Sequence, residues 1–148
     1  MKKMKIFKIA SILLLAMFLF GCTKTTDVIV HGDKEKFTFK SEIAETAPQQ
    51  MKGLMFRKTL EENKGMLFVF DVAFVQRFWM MNTSIPLDII FIDEEKKIVN
   101  VAEAEPCGLI PCALYNSTDN AKYVLEINQG LSEKYGFRKG TVVEFNLE

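Results

Sequence analysis

Asp88, in Leu87-Asp88-Ile89-Ile90, stands where an acid is costly to keep, and Glu126, in Tyr123-Val124-Leu125-Glu126-Ile127, is a second acid inside a strand. An ionised carboxylate among branched apolar residues has to be paired or hydrogen-bonded. Arg57 and Arg77 are candidate counter-ions for Asp88. If Asp88 and Glu126 converge, the pair can do general acid–base work on a glycosidic bond, with Arg57 as electrostatic partner. The densest stretch, Arg77-Phe78-Trp79-Met80-Met81-Asn82-Thr83-Ser84-Ile85-Pro86-Leu87-Asp88, carries the only tryptophan, then a polar turn, a proline and the acid. One reading places Arg57, Trp79, Asn82 and Asp88 around a pocket. The structural alternative has Asn82 and Asp88 capping and pinning the turn while Trp79 fills the core. By alternation Glu126 shares a face with Lys122 and Val124, and the ordinary expectation is that it faces solvent.

Other chemistry is sparse. His31 is the single histidine, beside Gly32-Asp33. No second histidine or cysteine lies at ligand spacing from it, so neither a metal nor another cofactor is expected. A histidine-dependent triad would need His31 itself, which reads as solvent-facing. Met51, Met55, Met66, Met80 and Met81 read as adaptable core filler rather than a ligand set.

The first 22 residues speak to location. Lys2, Lys3, Lys5 and Lys8 precede the apolar run Ile9 to Phe20, and Leu19-Phe20-Gly21-Cys22 follows the pattern of a bacterial lipobox. A charged start, a short apolar stretch and a small residue before the cut predict a secretory signal peptide over 1–21. Cys22 is then the lipidated new N-terminus, with 22–27 a polar tether. A twelve-residue run is short of the ~20 apolar residues that span a bilayer. An extracytoplasmic, lipid-anchored location on the cell membrane or outer membrane is the expectation. There the remaining cysteines, Cys107 and Cys112, predict a disulfide pinning a proline-flanked loop rather than a redox motif, since C-x4-C lacks the two-residue gap.

Removing 21 of the 148 residues leaves 127, the size of one domain, here 28–148. The four leader lysines take the basic count from 19 to 15 against 19 acids, a net charge of −4. No basic patch supports nucleic acid as a partner. The elements that must position the acids are mostly strands of period two. Phe37, Phe39, Ser41 and Ile43 form one buried face. Strands follow at Leu67–Phe70, Arg77–Met81, Leu87–Asp93, Ile98–Ala102, Lys122–Asn128 and Thr141–Leu147. Leu87–Asp93, nearly continuous Ile and Phe, is expected to be central and buried on both faces. Thr46-Ala47-Pro48-Gln49 predicts a capped helix reaching about Leu54 or Phe56, and Leu131–Tyr135 a second that stops at Gly136. The fold class is mainly β: a compact β-sandwich or partly open barrel with two short helices.

Several stretches resemble the domain of unknown function 192 (DUF192) family. They are Gly53-Leu54-Met55-Phe56-Arg57 with Leu60; Gly65-Met66-Leu67-Phe68-Val69-Phe70; Phe78-Trp79-Met80-x-Asn82-Thr83-x-Ile85-Pro86-Leu87-Asp88; and Tyr123-Val124-Leu125-Glu126 with Gly130. The resemblance runs from about residue 28 to 147. It implies a compact, mostly β domain and no established activity, and its motif positions fall on Arg57, Trp79, Asn82, Pro86, Asp88 and Glu126. With no nucleophile–base set, the leading functional expectation is a non-catalytic, envelope-associated binding or accessory domain. Its partners would be the membrane, through the lipid, and a small-molecule or envelope-polymer ligand. The alternative is a hydrolase-like enzyme on an envelope glycan or other polymer, using Asp88 and Glu126.

Overall fold

A computed structural model describes residues 23–33, 35–108 and 110–147. The predicted signal peptide and Cys22 lie outside the described residues. The chain builds β1 (Thr25–His31), β2 (Lys36–Ala44), α1 (Ala47–Lys52), β3 (Lys64–Phe74), β4 (Arg77–Trp79) and β5 (Leu87–Ile92). It continues with β6 (Ile98–Ala104), β7 (Leu114–Asn116), β8 (Ala121–Asn128), α2 (Leu131–Tyr135) and β9 (Val143–Glu144). Seven strands form one curled sheet in the order β6-β5-β8-β3-β2-β1-β9, a half-barrel, while β4 and β7 pair as a separate ribbon. The fold is mainly β with two short helices, as the sequence pattern predicts.

Sheet neighbours are antiparallel except β2 and β3, which run parallel. A parallel pair needs a crossover connection, and residues 45–63 supply it, carrying α1 and Arg57 across one face. The two ends of the sheet meet at one corner. There Ile98 N donates to Thr141 O (2.9 Å) and Val143 N to Lys96 O (2.8 Å).

The sheet is apolar on both sides. Inside the curl pack Val28, Val30, Phe39, Leu67, Ile90, Ile92, Leu125, Ile127, Phe137 and Phe145. Leu54, Met66, Phe68, Met80, Leu87, Ile89, Phe91 and Val124 form the second core, beneath the crossover and the β4–β7 ribbon. β5 is buried at all six positions, the two-faced burial that its unbroken Ile/Phe composition predicts.

Several boundaries differ from the sequence expectations. β1 begins at Thr25, inside the segment read as tether, because Thr25–Asp27 pair with Lys40–Glu42 of β2. β9 is two residues long rather than seven. α1 stops at Lys52, because Gly53 takes φ 47° and returns its N–H to Gln49 O. His31 is not in an exposed turn: it ends β1 half-buried, with Nε2 2.7 Å from Glu144 Oε1. Met66 and Met80 fill core as expected, whereas Met51 lies on the surface at 75% exposure. Among the described residues no helix is long and apolar enough to cross a membrane.

Candidate functional site

The two strand acids sit in adjacent central strands but on opposite faces. In the β5–β8 register Asp88 pairs with Ile127 and Ile89 with Glu126. Paired residues share a face and successive residues alternate. Asp88 therefore points into the curl with Ile90 and Ile92, and Glu126 points to the outer core with Ile89 and Val124. The sheet separates the two carboxyls, so the convergence on which an acid–base dyad depended does not occur.

Asp88 is 0% exposed, and it does not pair with Arg57 or Arg77. Its Oδ1 accepts from Gly130 N (3.2 Å) and its Oδ2 from Ser132 N (2.8 Å). These are N–H groups at the start of α2, which have no partner within the helix. Asp88 is thus a cap delivered from a neighbouring strand, a structural role for a different element from the Asn82 turn named by the sequence reading.

Glu126 is 5% exposed, contrary to the solvent-facing expectation. Burial pushes its carboxyl up to about 8, against the pull of the Arg57 charge. Its Oε2 has no hydrogen-bond partner. Above it lies a cavity of ≈ 30 Å³ lined by Glu126, Phe68, Phe78, Trp79 and the α1 turn at Lys52–Met55. Gly53 roofs this space: a Cβ built there would come within 3.8 Å of Glu126 Oε2 and 3.3 Å of Phe68 Cζ.

Arg57 is fixed beside this cavity rather than in it. Its two terminal nitrogens fork onto Glu42 (2.6 and 2.7 Å), holding the Glu42 carboxyl below its usual range and the guanidinium above. The loop carrying Arg57 is stitched to the Trp79–Pro86 segment. Phe56 N donates to Asn82 O (2.8 Å), and Ser84 Oγ donates to Arg57 O (2.9 Å). Asn82 serves through its backbone at φ 55°, a left-handed conformation that asparagine tolerates.

Trp79 is 48% exposed and does not fill the core. Its strand pairs with β7, Trp79 opposite Leu114, and the ring helps wall a wider groove of ≈ 530 Å³ with Met51, Met55, Phe70, Phe78 and Asn82. Gln50, Met51, Met55, Phe68, Phe78 and Trp79 line both spaces, so cavity and groove are neighbours that share a wall.

Of the residues singled out in the sequence, the fold gathers Trp79, Asn82 and Glu126 around this site, with Arg57 behind it, and places Asp88 elsewhere. Cys107 and Cys112 form a disulfide with Cα atoms 5.3 Å apart. Among the described residues there is no cluster of ligating side chains for a metal ion. Sequence reasoning missed Gln50, Gly53 and Phe78. The unbroken apolar run on both sides of Glu126 was a usable signal: like β5, it marks a strand covered on both faces.

Such a molecule is a small β half-barrel with a buried acid in a small cavity beside an aromatic-walled groove. The chain belongs to the DUF192 family, described as an uncharacterised conserved group, whose model matches residues 28–145. A UPF0127 protein of Pyrococcus abyssi is 33% identical over 125 residues, covering 80% of this chain and 97% of its own. A structure from Novosphingobium aromaticivorans, titled a protein of unknown function, is similar at TM-score 0.78 and 36% identity, over 85% of this chain and 89% of that one. Another, titled a putative transcription regulator from Sinorhizobium meliloti, is similar at TM-score 0.77 and 28% identity, over 84% and 96%.

Proposed function

We propose that this chain is a non-catalytic binding or accessory protein, held outside the cytoplasm by lipid on Cys22, that receives a small molecule in the Glu126 cavity and the groove above it. The carrying observation is Glu126 itself: a buried carboxyl with an unpartnered oxygen at the floor of an open site. Leaving a buried polar group unsatisfied costs roughly 1–3 kcal/mol, a cost that a leucine at this position would avoid. A ligand that supplies the missing hydrogen bond recovers it. The groove falls within the ~300–1,000 Å³ of ordinary ligand sites, and its thioether and aromatic walls suit an apolar body.

The hydrolase alternative loses its premise, because its two acids lie on opposite sides of the sheet. Binding is tested by titrating small envelope-derived molecules while following Trp79, the single tryptophan of the chain. A saturable emission change that disappears in Glu126→Leu is expected, and a response equal in both proteins would overturn the reading. Anchoring is tested by mass analysis and fractionation: a diacylglyceryl-modified Cys22 in membranes is expected, released by Cys22→Ala. An unmodified Met1 on a cytosolic species would refute it.

A further inference from the structure

The cavity over Glu126 has room for one small polar group and little more. Its ≈ 30 Å³ compares with the ~10–15 Å³ of probe space that a single water needs. Of the two cations nearest it, one is already committed. Arg57, the cation whose field reaches Glu126, has both terminal nitrogens on Glu42. Lys52, at the end of α1, lines the cavity, and the flanking strands place uncharged Met66 and Ile89 beside Glu126. An incoming ammonium would approach past Lys52 and Arg57. An incoming carboxylate would have to shed its water for a pocket floored by another carboxyl. Either ion faces a desolvation penalty of several kcal/mol, whereas a hydroxyl or carbonyl faces much less.

Resting on the binding reading above, we propose that the site selects an uncharged apolar molecule ending in a hydroxyl or carbonyl, its polar end hydrogen-bonded to the Glu126 carboxyl and its body lying along the Met51–Phe70–Phe78–Trp79 groove. The raised proton affinity of Glu126 agrees with this: at neutral pH the acid is protonated and both donates and accepts. Gly53, having no side chain, leaves this small space beside Oε2 unfilled.

The experiment compares 2-octanone, octylammonium and octanoate on the full chain by Trp79 emission at pH 7 and pH 9. The ketone, which can only accept a hydrogen bond, is expected to bind saturably and on the order of tenfold more weakly at pH 9, as a group titrating near 8 loses its proton. Both ions should bind at least about tenfold more weakly than the ketone at pH 7. Glu126→Gln, which keeps a neutral donor, should bind the ketone equally at both pH values. Octylammonium binding that strengthens at pH 9 and vanishes in Glu126→Gln would overturn the ligand class and leave the binding site standing. Failure of all three ligands to move the wild-type signal would overturn both.

Discussion

Glu126 and Asp88 differ in how their burial is compensated, and stability against pH separates them. Glu126 holds its proton to about 8 in the folded chain against 4.5 as its ordinary value. Between those values the folded state keeps a proton that the unfolded chain releases, so stability falls as pH rises from about 4.5 to 8 and the loss is complete above it. Glu126→Gln removes the effect. Its melting temperature should match the wild type near pH 4.5 and exceed it at pH 8 by the equivalent of a few kcal/mol, measured by calorimetry across that window. Glu42 acts in the opposite sense: its carboxyl is held low by Arg57, so the stability from that pair is present above about 4.5 and fades as pH falls further. Asp88 accepts two backbone N–H bonds at 0% exposure. Asp88→Asn turns one acceptor into a donor facing a donor, and should cost about 2 kcal/mol in denaturant unfolding with Trp79 emission unchanged in the folded baseline. An unaltered midpoint would remove Asp88 from the cap. The need of Asp88 for compensation was legible in the sequence, whereas Glu126 read as solvent-facing. Which face each occupied was not legible, because strand periodicity fixes faces within a strand and only the β5–β8 register relates one strand to the next.

At the scale of elements, the site depends on the short ribbon of β4 and β7. β7 is three residues long and too brief to show a period, so the sequence did not reveal it. β5 and β8, with long apolar runs, were clear. The same length limit explains β9, where the expected strand is mostly non-ladder chain, and β1, whose polar start pairs on backbone alone. Only Ala113 separates Cys112 from Leu114, the partner of Trp79, so the Cys107–Cys112 bridge steadies the strand that backs the indole. Closing so small a loop contributes roughly 2 kcal/mol through loop entropy. Reduction, or Cys107→Ser with Cys112→Ser, should therefore lower the midpoint by several degrees, red-shift Trp79 emission and leave the Asp88 cap region protected in amide exchange. Uniform loss of protection across the sheet would show that the bridge supports the whole fold.

At the scale of the molecule, the half-barrel puts its inner core and the proposed binding groove on opposite sides of one sheet. The curl is closed where Lys96–Ile98 meets Thr141–Val143, and Lys96 Nζ reaches both the Phe145 carbonyl (2.8 Å) and its ring face (4.4 Å to the centroid). Phe145, 5% exposed, packs edge-on to Tyr123 at 4.9 Å inside the inner core. Phe145→Ala removes a buried ring from this core and should cost about 3–4 kcal/mol in denaturant unfolding. Trp79→Ala strips a half-exposed ring from the outer groove; it should cost under about 1 kcal/mol, yet abolish ligand binding followed by calorimetry. The two effects should add in the double variant, since the sheet lies between the sites and they share no partner. The outer core carries the crossover loop, the ribbon and the unpartnered Glu126, each a departure from what close packing alone would choose. The inner side buries Asp88 with both oxygens hydrogen-bonded and can hold the fold while the outer face carries the proposed ligand site. A Phe145→Ala chain whose residual folded fraction had lost its response to ligand would break that division, because the inner face would then be setting the geometry of the groove.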